Sequence, residues 1–231
     1  MTNKKTWSIP KPKISDVTGK VYTLNGKSYC RVTKTLSIIS KNGLFGWYMH
    51  VGKKKAEKII KDRQVLGTQV HSIFEHILLG DWKDPGNLKD EVKEDVKLFK
   101  FFKYNTSLEY DALEQRLWSD KHGYAGTADF IGKYSTHKPY CVRGHNRDFK
   151  DDLVIGDWKT SRDIYDDYWL QLAAYAMAFY ELTGIKVKGA FIAQFRNGYI
   201  KVKERSWEEL EELFEVYKAT LTLYKWKNKI K

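Results

Sequence analysis

Apolar and polar positions change period several times along the chain, and each change marks an element. Val21-Tyr22-Thr23-Leu24 and Ser28-Tyr29-Cys30-Arg31-Val32 read as strands flanking Asn25-Gly26, a strong hairpin-turn dipeptide. Thr33 is placed to cap a short helix through about Ile39, which Gly43 breaks. A helix from about Leu44 carries Trp47, Tyr48 and Val51 on one side. Another helical stretch runs from about Val65 to Leu79 and ends at Gly80, and Pro85 opens a third that reaches about Tyr104.

The pattern then turns to strands. Residues 111–119 and 124–134 alternate and are joined near Lys121-His122-Gly123. Residues 136–151 form a polar insert, and 152–160 a third strand. Asp166 to Leu182 is helical and stops at Thr183-Gly184. Strands at about 187–195 and 199–204 flank Asn197-Gly198, and Ser206 with Glu208 and Glu209 starts a C-terminal helix. The expectation is an α+β (α/β) chain with a β-β-β-α-β core behind an N-terminal helical region. It divides as a single domain 1–231: a flexible basic arm 1–19, a hairpin plus helices 20–105, and a core 106–231.

At 231 residues and 42% hydrophobic, the chain is long and apolar enough for one full core. The net charge of +12 points to a polyanionic partner, most simply nucleic acid; a Lys-rich surface without such a partner is the plain alternative. The two cysteines, Cys30 and Cys141, are too few for a four-Cys zinc or iron–sulfur site and fit a reducing compartment. No apolar run reaches membrane-spanning length and no signal core opens the chain, so a cytoplasmic, membrane-free protein is expected.

Candidate chemistry centres on Ile155-Gly156-Asp157-Trp158-Lys159-Thr160-Ser161. In a strand, residues i and i+2 share a face, so Asp157 and Lys159 project together. One is able to hold a divalent metal and the other to steer a water, as metal-assisted phosphodiester cleavage requires. The acid-x-Lys pattern also starts at Asp81, Glu91, Asp95 and Asp148, but none of these ends a strand-like run, and they read as solvated charge.

Asp129 stands between apolar Ala128 and Phe130, where a carboxylate needs a partner, and a cation between two strand acids removes their repulsion. His71 lies early in a helix with Glu75 one turn on, whereas His76 points elsewhere. Gln171 and Tyr175, at i and i+4, can brace a phosphate or a metal-bound water, and Glu114 lies on the strand before Asp129. In the insert, His137, Cys141 and His145 make an incomplete zinc set. Lys138, Arg143, Arg147 and Lys150 suit phosphate contact or plain solvation there.

Taken in order, Gly67-x-x-x-His71, Glu114, Gly126-Thr127-Ala128-Asp129, Asp157-Trp158-Lys159-Thr160-Ser161 and Gln171-x-x-x-Tyr175 resemble the PD-(D/E)xK nuclease superfamily. The similarity is to its RecB-type exonuclease branch with the Gln-x-x-x-Tyr motif. Arg31-Val32-Thr33-Lys34-Thr35-Leu36 and Gly43-Leu44-Phe45-Gly46-Trp47 extend it toward the mitochondrial genome maintenance exonuclease group and related viral exonucleases, so that it covers roughly residues 30 to 205.

The resemblance implies a restriction-endonuclease-like core, a central mixed sheet flanked by helices. It implies that His71, Asp129, Asp157 and the Trp158 carbonyl bind one or two Mg²⁺ or Mn²⁺ ions, with Lys159 acting on the attacking water. Glu114 takes a metal-site or supporting role, and Gln171 and Tyr175 brace the site or the scissile strand. The superfamily's proline is replaced by Ala128, and the cluster-binding cysteines of some relatives are missing, so no iron–sulfur cluster is expected.

The expected activity is a metal-dependent DNA exonuclease working on single strands or free ends in replication, recombination or repair, alongside proteins of those processes. The helices before residue 105 are expected to arch over the site, and Trp47 or Trp82 to stack bases. A structure-selective endonuclease of the same fold and a non-catalytic nucleic-acid-binding module are the competing expectations.

Overall fold

The computed structural model describes residues 7–16, 21–39, 44–136, 149, 152–196 and 198–230. Three short strands come first, β1 (Ile14–Asp16), β2 (Val21–Leu24) and β3 (Lys27–Arg31). Helices α1 (Val32–Leu36), α2 (Leu44–Val51), α3 (Lys53–Leu79) and α4 (Asp90–Asn105) follow. The long hairpin β4 (Thr106–Ser119) and β5 (Tyr124–Thr136) leads to β6 (Leu153–Lys159), α5 (Asp166–Thr183), β7 (Gly189–Arg196), β8 (Tyr199–Ser206) and α6 (Trp207–Asn228).

All eight strands form one mixed sheet in the order β1-β2-β3-β5-β6-β7-β8, with β4 paired to β5. The β3–β5 and β6–β7 ladders are parallel and the others antiparallel. This is the α+β architecture expected, a mixed sheet with helices on both faces. On one face, α3 and α4 close an aromatic core of Phe74, Phe99, Phe102, Phe130, Trp158, Phe191 and Phe195. On the other, α5 lies between the sheet and α6, its Ala173, Ala174, Ala176 and Ala178 wholly buried. Those small side chains let the helix approach closely, and each large buried ring contributes roughly 1.5–3 kcal/mol of transfer free energy.

Several elements depart from the sequence expectation. Helix α3 begins at Lys53, a full three turns before the apolar stripe that starts near Val65. Its first half is exposed apart from buried Ala56 and half-buried Ile60, so no burial stripe marks it, and strong helix formers carry it instead. Helix α4 starts at Asp90, not Pro85, because Asp84 bonds the Gly86 amide at 2.8 Å and closes a turn there. The N-terminal segment expected to be a flexible arm is tied down over its described part. Trp7 is buried edge-on against Phe179 at 4.9 Å and donates to Asp111 at 3.2 Å, and β1 pairs with β2.

His137, Cys141 and His145, with Lys138, Arg143, Arg147 and Lys150, lie outside the described residues. No helix among the described residues is long and apolar enough to cross a membrane.

Candidate metal centre

Strand β5 has β4 along one whole edge, but two different strands share its other edge. Strand β3 pairs at Cys30↔Tyr124 and Arg31↔Ala125, and β6 pairs from Phe130↔Gly156 to Lys133↔Leu153. Between these ladders Gly126-Thr127-Ala128-Asp129 faces a notch in the sheet. The β5–β6 register stops one residue short of Asp129 and Asp157, so the two acids stand across from each other where the strands part. Asp129 accepts the Trp158 amide at 3.0 Å, supplying in side-chain form the ladder bond the parted strands lack.

Glu114 completes the row from β4. The pairs Leu113↔Phe130 and Gln115↔Ala128 bracket it opposite Asp129. Its backbone is left-handed, φ 46°, an uncommon state for a residue with a side chain and one that recurs at functional sites. The pleat changes phase there. Leu113 and Phe130 pack with α3 and α4, whereas Leu117, Ala128 and Ile131 belong to the α5 core. An unbroken alternation from Ile131 would send Asp129 toward α5; the break turns it to α3, where His71 Nδ1 lies 3.2 Å from its Oδ2.

Donor atoms of His71, Glu114 and Asp129 lie within 4.8 Å of one another, a set that could hold a metal ion. One imidazole and two carboxylates suit a divalent cation with oxygen and nitrogen preference. Asp157 stands outside this set. Its Oδ2 forms a buried ion pair with Lys159 Nζ at 2.5 Å. Its Oδ1 accepts Gln171 Nε2 at 3.2 Å, and the same amide reaches Tyr175 Oη at 3.4 Å. The Lys159 ammonium also rides over the Tyr168 ring at 4.6 Å.

Burial and crowding of like charge set the protonation of this cluster. Burial drives Asp157 up to about 6, with Asp129 adding to the rise against the pull of Lys159. Glu114, exposed as a residue but with its carboxyl turned to the other acids, is pushed up to about 7 by lost solvation and then by Asp129. Burial also opposes the charge on Asp129, but His71, Lys159 and the Trp158 amide outweigh it and hold the acid below its usual range. His71 and Lys159 likewise lose solvation, and the facing carboxylates more than offset that, raising both. Three acids thus share two cations, an arrangement in which an incoming metal displaces a proton. The Tyr175 hydroxyl is kept protonated by burial and by Asp157.

The predicted residues therefore gather, with adjustments. His71 and Asp129 join the metal set with Glu114, which the sequence marked only weakly. Asp157 and Lys159 form the expected same-face pair, and Gln171 and Tyr175 brace it rather than the metal set. Trp158 meets the acids through its N–H; its indole is buried among Phe99, Phe102, Phe130 and Phe191. Glu75 adds negative charge near Glu114 without entering the set, and His76 instead pairs with Asp81 at 2.9 Å.

Trp82 carries the Lys100 ammonium at 4.2 Å, and Trp47 meets Tyr48 edge-on at 5.5 Å. Asp95 is not the solvated charge its helical position suggested. It lines a cavity with Arg63, Glu91, Glu94, Thr160 and Arg196, where burial lifts it to about 7. The helix period alone does not show that the β6–β7 end of the sheet covers it.

No protein-family model matches the chain, and no curated protein does. Among solved structures it is similar to the crystal structure of SSO0001, at 14% identity over 84% of this chain and 75% of that one, with a TM-score of 0.39.

Proposed function

We propose that this protein is a metal-dependent nuclease that hydrolyses phosphodiester bonds in DNA, acting from ends as an exonuclease. The observation that carries the reading is the convergence, at one notch, of the His71–Glu114–Asp129 donor set with the buried Asp157–Lys159 pair. A metal alone fits many activities. A metal set beside a lysine whose ammonium a carboxylate holds in place supports attack of water on a phosphoryl centre.

His71, Glu114 and Asp129 would hold Mg²⁺ or Mn²⁺, with Asp157 across the strands from Asp129. A bound ion would supply charge to stabilise the pentacoordinate phosphate and acidify a water. Lys159 orients that water with an N–H donor, and Asp157 keeps the ammonium protonated and aimed. Gln171 fixes the second oxygen of Asp157, and Tyr175 fixes Gln171. The net charge of +12 draws in the strand electrostatically. Preference for free ends rests on the resemblance set out above.

End-labelled single- and double-stranded DNA, with and without Mg²⁺ or Mn²⁺, tests the reading. Nucleotides are released only with metal, Asp157→Ala and Lys159→Ala lose release but keep DNA binding, and closed single-stranded circles persist. Cleavage of circles moves the assignment to an endonuclease. Binding without metal-dependent cleavage leaves a nucleic-acid-binding module.

A further inference from the structure

We infer that the outward face of α6 (Trp207–Asn228) is a dimerisation surface that takes a second copy of this chain, with the two helices antiparallel. The inference concerns a surface away from the notch and stands independently of the chemistry there.

Helix α6 buries Leu210, Phe214, Tyr217, Leu221 and Tyr224 on one side, in the core shared with α5. At about 3.6 residues per turn, the opposite side carries Glu212, Val216, Ala219, Leu223 and Trp226. All five are exposed, Val216 and Leu223 to 52% and Trp226 to 77%. A helix covering one core needs a single apolar stripe, and α6 has two. The outer stripe runs 216, 219, 223 and 226, the three-four spacing by which one helix seats its side chains between those of another.

Charge along the same face says which partner covers it. Glu208, Glu212 and Glu215 occupy its first half, and Lys225, Lys227 and Lys229 its end. The helix dipole favours acids in the first turn and lysines in the last, but Glu212 and Glu215 lie beyond that reach. Glu215 also meets Lys218 one turn on at 2.7 Å, an exposed pair of little weight. A parallel copy would set acid on acid and lysine on lysine. An antiparallel copy, related by a two-fold axis level with Leu221, lays each acidic half along the partner's basic half, at both ends at once. In that register Val216 meets the partner's Trp226 and Ala219 meets the partner's Leu223, a smaller side chain against a larger one each time.

The lysines around Trp226 would also suit a nucleic-acid strand. Helix α6 is the layer outside α5, however, whereas His71 lies on α3, across the sheet. A strand seated at the metal set lies on the far side of two layers.

Light scattering and sedimentation equilibrium over about 1–100 µM protein read the mass. The wild type passes from monomer to dimer across that range. Trp226→Ala and Leu223→Ala, both at exposed positions, keep the melting temperature of dilute protein and weaken association roughly thirtyfold each. Glu212→Lys with Glu215→Lys is monomeric, and so is Lys227→Glu with Lys229→Glu. Mixed in equal amounts, these two charge-reversed proteins form a one-to-one dimer, because each reversed half now faces its opposite.

A wild type that stays monomeric throughout overturns the surface. So does a dimer indifferent to Trp226→Ala and Leu223→Ala, which must form elsewhere, and so does failure of the two folded charge-reversed proteins to pair. Should a charge-reversed protein fail to fold, the two alanine variants decide alone. An oligonucleotide that binds the monomer and is lost in Trp226→Ala assigns the face to nucleic acid and overturns the dimer.

Discussion

Replacing Lys159 with Met removes one charge from the centre while keeping most of the side-chain stem over Tyr168. At 2.5 Å and an effective dielectric near 20, the Lys159–Asp157 attraction is about 7 kcal/mol before desolvation. Stripping water from both groups offsets much of it, and breaking such a buried pair costs about 3–5 kcal/mol because the survivor is left charged and dry. The survivor here is able to neutralise itself.

In the wild type the folded pKa of Asp157 is about 6 against an ordinary 3.8, roughly 3 kcal/mol of opposition to folding once the acid is ionised. A raised acid is most favourable to folding below 3.8, and that advantage is lost as pH climbs through 6. Without Lys159 the folded value moves higher still, so the loss extends further up the scale. Lys159→Met is therefore expected to cost about 3–5 kcal/mol at pH 8 but only about 1 kcal/mol at pH 5, where Asp157 is protonated in both proteins. Urea unfolding at the two pH values, wild type against variant, measures this difference, and titrating groups remote from Lys159 cancel in it. Asp157→Asn with Lys159→Met recovers most of the pH 8 loss. Equal losses at pH 5 and pH 8, or no recovery in the double variant, would refute the electrostatic account of the pair.

Two further outcomes follow from the same geometry. Glu114 at about 7 and the raised His71 must both give up protons for a metal, so Mn²⁺ affinity by calorimetry rises with pH through 7 and is weak at pH 5.5. Glu114→Gln lowers the affinity and flattens that profile, and a flat wild-type profile would contradict the donor set. A Cβ on Gly126 would stand 2.4 Å from Tyr175 Cε1. Gly126→Ala therefore costs about 1–3 kcal/mol by overpacking and slackens the Gln171–Asp157 brace, lowering the melting temperature and kcat; Tyr175→Leu relieves part of the thermal loss but not the loss in kcat, and unchanged values of both in Gly126→Ala would remove the brace from the argument.

Much of the centre was legible locally. The two-residue period of a strand brings Asp157 and Lys159 to one face, and the four-residue period of a helix stacks Gln171 on Tyr175, whatever the rest of the chain does. Hairpin dipeptides, the Ser206 cap and the Ala-rich stretch of α5 likewise act over a few bonds, so the element order after β1 could be read in advance.

What only the tertiary structure decided depends on pairing between distant segments. The sharing of one edge of β5 between β3 and β6 opens the notch, and no window of sequence contains both ladders. The left-handed turn of Glu114 shifts the pleat by one residue and sends Asp129 to His71, against the alternation its neighbours suggest. Trp7 on Phe179, the covered Asp95 and the stacking of Arg31 and Arg116 on Tyr22 are contacts of the same kind. Period and propensity act between neighbours along the backbone, whereas register and burial emerge only when the sheet closes and the helices cover it.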